Sequence, residues 1–358
     1  GAKEEIQEIN QNIYRRSDTD LNKLYDEGRA TSLAHFEELY KKLGTAFHFY
    51  FFETESAPIG VEMVRRNIGS VFEESDGAVV FQGAKAGLHT RVFINSHGLP
   101  TYEAKELGLA KLKQERWPHD LSIVVTANEI NEYFRVLLAA LGELMPDVAK
   151  KIHHVGHGVL RLPSGKMSSR TGSVVTGEAL LQELESTMRE KISGRDMEND
   201  ERKKIEEAVS VAAIKYAILK QSAGKDIIFE KETALSFEGD SGPYLQYAHV
   251  RACSVLLKAA EAKAEWSTDG AKPEAVSGVE KLLYRFPEVV LRSAREYDPH
   301  YVATYLIELS GAFNAYYAKE KIVDMSPEMP YKIALTKAFQ ITMRNGLLLL
   351  GIRAPERM

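Results

Sequence analysis

A change of hydrophobic period near Thr176 constrains this 358-residue chain more than any other feature of it. Upstream, short apolar runs alternate with helical patterns; downstream, only helical spacing recurs. Ile6, Ile9 and Ile13 open the chain at helical spacing, and residues 21–43 repeat it. The aromatic run at 48–52 suits a strand. Asp76-Gly77 separates Val71-Phe72 from Val79-Val80-Phe81, a hairpin signal because Gly accepts positive φ without steric cost. Residues 91–95 read as another strand. A helix is predicted over 100–113, a buried strand over 121–126, a helix over 128–144 and a strand over 152–162. Such alternation implies a parallel sheet with crossover helices. Beyond Thr176 the spacing predicts helices over 176–191, 200–221, 243–263, 276–296, 299–319 and 327–350. Pro243, Pro299 and Pro327 stand near their starts, where a missing N–H costs nothing. The fold class is therefore α/β followed by all-α.

Composition narrows the function classes. Lys and Arg number 46 against 51 Asp and Glu, a net charge of −5, with 44% hydrophobic and 27% charged residues. That excludes a disordered acidic tail, a collagen-like fibre and a histone-like binder. The net charge conceals its distribution, since residues 281–358 hold 11 basic and 8 acidic side chains. The single cysteine, Cys253, has no partner for an internal disulfide and reads as a small buried side chain, which favours a reducing, cytoplasmic setting. No apolar run approaches the roughly 20 residues of a membrane span. The opening Gly1-Ala2-Lys3-Glu4 is no signal peptide and lacks an initiator Met, so the chain reads as one cut at its front.

Three groups of residues can carry chemistry. Residues 163–172, Pro-Ser-Gly-Lys-Met-Ser-Ser-Arg-Thr-Gly, combine glycines, hydroxyls and two cations between a strand and a helix. Such a loop closes over a polyphosphate, with Lys166 and Arg170 countering charge, or is an ordinary charged surface loop. Its glycine spacing is not that of a Walker A loop. Tyr102 and Glu106 share a helix face at i,i+4, and a carboxylate there receives a guanidinium fork bidentately. Glu129 can supply a second anion; equally, the two acids can be ordinary solvated side chains. Tyr244, Tyr247 and Arg251, with Tyr316 and Lys319, place rings beside cations. They suit stacking on unpaired bases or packing in a bundle core.

Four segments in order resemble the arginyl-tRNA synthetase family. Lys166-Met167-Ser168-Ser169-Arg170 resembles the KMSKS loop of class I aminoacyl-tRNA synthetases. Residues 241–251, Ser-Gly-Pro-Tyr-Leu-Gln-Tyr-Ala-His-Val-Arg, resemble the helix that opens the arginyl anticodon-binding domain. Residues 98–108 resemble the arginine-site segment, and 350–358 the family's C-terminus. The resemblance implies a partial parallel Rossmann-type nucleotide-binding sheet within a partial catalytic domain at 1–240, and a C-terminal α-helical anticodon-binding bundle at 241–358. It implies a ligase that activates arginine with ATP, carrying Mg²⁺ as counter-ion, and charges tRNA, with no tightly bound cofactor.

By the same resemblance, Lys166, Ser168, Ser169 and Arg170 would serve catalysis, and Tyr102, Glu106 and Glu129 would hold arginine. His157, Gly158, Val159 and Lys166 would border ATP. Tyr244, Tyr247, Arg251, Tyr316 and Lys319 would face tRNA. The sequence departs from the family pattern at Ser169, which replaces a lysine, at Glu106, which replaces the usual Asp, and at Glu129, which replaces a Gln. The upstream HxGH element is not found. His154-Val155-Gly156-His157 spells it, but lies too close to Lys166 and continues a strand. A metal on His153, His154 and His157 lacks zinc-type spacing, so no metal site is expected. The chain alone is expected to be inactive; the alternative is a non-catalytic tRNA-binding module or synthetase paralogue.

Overall fold

The computed structural model describes residues 1–163, 176–194 and 197–358. The chain divides into two compact units, one of residues 1–40 and 46–157, the other of residues 41–45 and 158–358.

The first unit opens with the expected helices α1 (Ala2–Arg15) and α2 (Thr19–Leu43), the latter ending in the second unit. Neither buries its apolar stripe: α1 has no buried residue and α2 only Asn22. The aromatic run at 48–52 forms no strand. It leads straight into α3 (Glu53–Arg66), where the Glu55 carboxylate accepts the Phe52 N–H at 3.1 Å, and the Phe49 ring lies 5.2 Å from that of Trp117. Helix entry therefore claims backbone that a ladder would need.

Strands β1 (Glu73–Ser75), β2 (Ala78–Phe81) and β3 (Arg91–Ile94) form an antiparallel sheet in that order. The predicted turn is there, with Asp76 and Gly77 at φ 49° and 76°. Helix α4 (Tyr102–Arg116) then crosses α3 at two glycines. A Cβ on Gly60 would stand 1.8 Å from the Ala104 carbonyl oxygen, and one on Gly108 2.0 Å from that of Ser56. Only bare backbones approach so closely. Phe72, Phe81, Phe93, Leu107 and Phe134 fill the core of this unit.

Strand β4 (Ser122–Ala127), helix α5 (Asn131–Leu144), the short α6 (Pro146–Ala149) and strand β5 (Ile152–His157) complete it. β4 and β5 pair in parallel from Ser122↔Ile152 to Ala127↔His157, as the βα alternation requires. The strand expected to be buried is covered on one side only. Val124 and Ile152 pack into the core, and the His154 ring stacks on Phe134 at 4.0 Å, whereas Ile123 and Val125 stay 46% and 61% exposed.

The strand predicted over 152–162 is in fact two. β5 stops at His157, and β6 (Leu160–Arg161) pairs in parallel with β7 (Ile227–Ile228). Gly158 allows this change of partner, since a Cβ there would lie 1.9 Å from the Lys225 carbonyl oxygen. The rest of the second unit is helical: α7 (Gly177–Ile192), α8 (Asn199–Leu219), α9 (Lys231–Ala234), α10 (Gly242–Glu261), α11 (Gly278–Glu296), α12 (His300–Lys319) and α13 (Met329–Leu349). The six long helices match the predicted ones within a few residues. Leu184, Met188 and Val209 join α7 to α8, and Phe313 stacks on Phe339 at 3.8 Å between α12 and α13. The Lys215 ammonium donates to the carbonyls of Leu43 and Gly351, both at 2.6 Å. Among the described residues no helix is long and apolar enough to cross a membrane.

Candidate functional site

Thr101 stands before α4 and donates its hydroxyl proton to the Val92 carbonyl at 2.7 Å, fixing where the helix starts against β3. One face of the helix is then set. Tyr102 hydrogen-bonds Glu106, and Lys113 follows two turns further along, donating to the Ser122 hydroxyl at 2.8 Å. Burial pushes the Glu106 carboxyl above its ordinary range, and the nearby Glu53 carboxylate adds to the rise; Lys113 and the Tyr102 hydroxyl pull it back down. Burial and the acidic neighbours raise the Tyr102 phenol, so it stays protonated as a donor. Desolvation lowers the Lys113 ammonium. The result is a half-buried carboxyl set between a phenol and an ammonium, raised above its ordinary range mainly by burial.

Glu53 was not singled out from the sequence. It sits in the first turn of α3, paired with Lys105 at 2.6 Å, close enough to bias both Tyr102 and Glu106. A helix start with two acids at 53 and 55 is the signal that would have found it, hidden by the strand expected just before. Glu129 lies exposed in a short 3₁₀ turn after β4, Asn128–Ile130.

Among the candidate ATP-border residues, His157 ends β5 opposite Ala127. Gly158 is pressed on Lys225, and the Val159 N–H donates to the Asp226 carboxylate at 3.0 Å. Asp226 also pairs with Arg161 at 2.5 Å, which fixes the backbone entering β6. The His154 ring stacks on Phe134 with its Nε2 2.7 Å from the Thr126 hydroxyl, and burial lowers its pKa. Lys166, Ser168, Ser169 and Arg170 lie outside the described residues. Among the described residues no group of three or more potential ligands forms a metal site.

The aromatic group divides. The Ser241 hydroxyl caps α10 by accepting the Tyr244 N–H at 3.1 Å, which orients the helix's first turns. The Arg251 guanidinium lies 4.9 Å from the Tyr247 ring and 5.1 Å from that of Tyr317, and donates to the Asn314 side-chain oxygen at 2.6 Å. Asn314 donates in turn to the Tyr244 hydroxyl at 2.9 Å. Tyr244, Tyr247 and Arg251 are thus brought together, with Tyr317 beside them and Asn314 as a member the sequence did not announce. Tyr316 is elsewhere. It packs into the bundle core, and burial pushes its phenol up to about 12. With Lys319 it lines a separate cleft of about 250 Å³.

The parallel β/α segment and the helical bundle are each matched by a known family. Residues 2–231 match the family described as tRNA synthetases class I (R), catalytic domain, and residues 245–358 match the DALR anticodon binding domain. The chain belongs to the arginine family of class I tRNA synthetases. It is 32% identical to an arginine–tRNA ligase of Treponema pallidum, over 96% of this chain and 61% of that protein. A Bacteroides thetaiotaomicron arginine–tRNA ligase gives 32% over 96% of this chain and 60% of that one. The chain thus spans about three fifths of the length of these relatives. The Thermus thermophilus arginyl-tRNA synthetase structure superposes with a TM-score of 0.78 at 25% identity, covering 98% of this chain and 68% of that one. A Mycobacterium tuberculosis methionyl-tRNA synthetase shares the fold at 14% identity, with a TM-score of 0.57 and coverage of 90% and 77%.

Proposed function

We propose that this chain is the part of an arginine–tRNA ligase that holds the arginine side chain and the anticodon arm of tRNA. The observation that carries the reading is the desolvated Glu106 carboxylate bonded to Tyr102 within the family match at 2–231. A guanidinium meets Glu106 bidentately, the Tyr102 phenol fixes that carboxylate's orientation, and Glu53 adds a second negative charge at the rim. Glu129, in the turn after β4, would be the other acid in this role. The longer side chain at 106, where the family pattern has Asp, moves the carboxylate outward by about one methylene along the helix face.

The ligase activates arginine on ATP, which brings Mg²⁺ with it, and passes the arginyl group to tRNA as a step of protein biosynthesis in the cytoplasm. Lys166, Ser168, Ser169 and Arg170 would counter the phosphate charge, and the backbone at His157, Gly158 and Val159 would border the adenine. Residues 1–240 serve as the catalytic part and 241–358 as the anticodon-binding part. There Arg251, held between Tyr247 and Tyr317 without a carboxylate partner in its hydrogen-bond set, presents a preorganised cation to RNA. Tyr316 and Lys319 form a second contact on the same bundle.

The chain by itself is expected to bind tRNA yet exchange pyrophosphate into ATP at no more than background. Filter retention of tRNA that weakens with salt, and that drops about tenfold for Arg251→Ala, is the expected result. Robust exchange by the purified chain with arginine, ATP and tRNA would overturn the inactive reading. Retention of tRNA with no arginine affinity would mark the chain as an RNA-binding paralogue.

A further inference from the structure

A cavity of about 770 Å³ in the second unit plays no part in the reading above. It opens between the first turns of α8, the middle of α10, the last half of α13 and the tail at 352–358. The tail is fixed as a wall by buried hydrogen bonds. The Gln246 amide donates to the Arg353 carbonyl at 2.8 Å, and Ile352 is buried. His249, fully buried, donates through Nδ1 to the Pro355 carbonyl at 2.9 Å and accepts the Gln340 amide on Nε2 at 2.9 Å. Gln340 itself lines the cavity. The wall and floor are therefore preformed, not made by loose surface chains.

Lys204, Arg344 and Arg357 line this cleft, and none of the three forms an ion pair among the described residues. Cations left unpaired around a concave site are matched by phosphate, and the guanidinium fork fits it bidentately. Glu201 and Glu356 also line the cleft, so a bare polyanion fits only half of it. Leu256 and Leu257 supply apolar surface, Leu257 being 52% exposed. A ligand that satisfies all of this carries phosphate, hydroxyl or amino donors for the carboxylates, and a flat apolar body.

We infer that the cleft between α8, α10, α13 and the tail is a nucleotide-binding site, with Arg344, Arg357 and Lys204 on the phosphate and the leucines under the base. Its occupant is either an unpaired nucleotide of RNA or a free mononucleotide, and the RNA source rests on the tRNA-binding reading above. Cys253, the chain's one thiol, lines the same cleft half-buried and reports its occupancy directly. The experiment follows alkylation of Cys253 by iodoacetamide in the full chain, with tRNA, a short single-stranded oligonucleotide, AMP or inorganic phosphate added in turn.

Protection by RNA or AMP that slows labelling about tenfold, and that Arg344→Ala removes while Arg344→Lys keeps in part, is the expected result. Protection by AMP alone assigns the free nucleotide; protection by tRNA or the oligonucleotide alone assigns RNA. Unchanged labelling under conditions where tRNA is retained on filters overturns this inference and leaves the tRNA reading standing. Loss of tRNA retention together with AMP protection does the reverse. Equal protection by inorganic phosphate and AMP reduces the cleft to an anion site and also overturns the nucleotide assignment.

Discussion

Glu106 shows how one side chain can be costly to the fold and useful to the site. Burial raises its pKa, so the ionised form is disfavoured in the folded state relative to the unfolded chain, where the value is 4.5. A carboxyl shifted in this direction adds stability at pH below the unfolded value and withdraws it as pH climbs through the folded one. Glu106→Gln is therefore expected to stabilise the protein at pH 7–8 by on the order of 1 kcal/mol, the gain fading as pH falls through the raised folded value and gone by the unfolded value of 4.5. Thermal melts across that range read the sign. The same substitution should weaken arginine binding about tenfold to a hundredfold in any assembly that binds it, the worth of a charge-assisted hydrogen bond, measured by calorimetric titration. At this scale the sequence was informative about Tyr102 and Glu106, because i,i+4 spacing fixes a shared face whatever surrounds it. It was silent about Glu53 and Asn314, whose partners lie 52 and 63 residues away.

At the scale of elements, the crossing of α3 and α4 is what sets Glu53 beside the Tyr102–Glu106 face. That crossing depends on Gly60 and Gly108, where any Cβ would collide with a carbonyl oxygen of the other helix. Gly60→Ala should force the helices apart at a cost of about 1–3 kcal/mol, seen as a lower denaturant midpoint. An unchanged midpoint would mean that the two helices slide without penalty. The element errors have local causes. The run at 48–52 has strand composition, but its last residue is the N-cap of a helix, and propensity yields to that capping. Residues 152–162 have a continuous strand pattern, but Gly158 lets the backbone change sheets midway. The long helices were legible because six of them keep a 3.6 period over many turns, which a local exception cannot erase.

At the scale of the whole molecule, the parallel pair β4–β5 is unusual in having one apolar face open. Parallel sheets are ordinarily covered on both sides. Ile123→Thr with Val125→Thr should leave stability within about 0.5 kcal/mol, as exposed positions do, while reducing the binding of a hydrophobic dye. A large loss of stability would show that the face is packed. The change of hydrophobic period near Thr176, by contrast, marked where long helices take over, but it missed the short strand β7 beyond it. It could not say where the compact units divide, because that boundary, at 157–158, is set by a backbone approach between residues far apart in sequence.

The Lys215 ammonium holds two carbonyls that lie 172 and 136 residues from it along the chain. Contacts closed over such long loops form late, after the helices around them have condensed. An interaction absent from the folding transition state leaves the folding rate alone and acts on the reverse step. Lys215 should therefore work as a brake on unfolding. Replacing it with methionine is expected to speed unfolding in a denaturant jump while refolding keeps its pace.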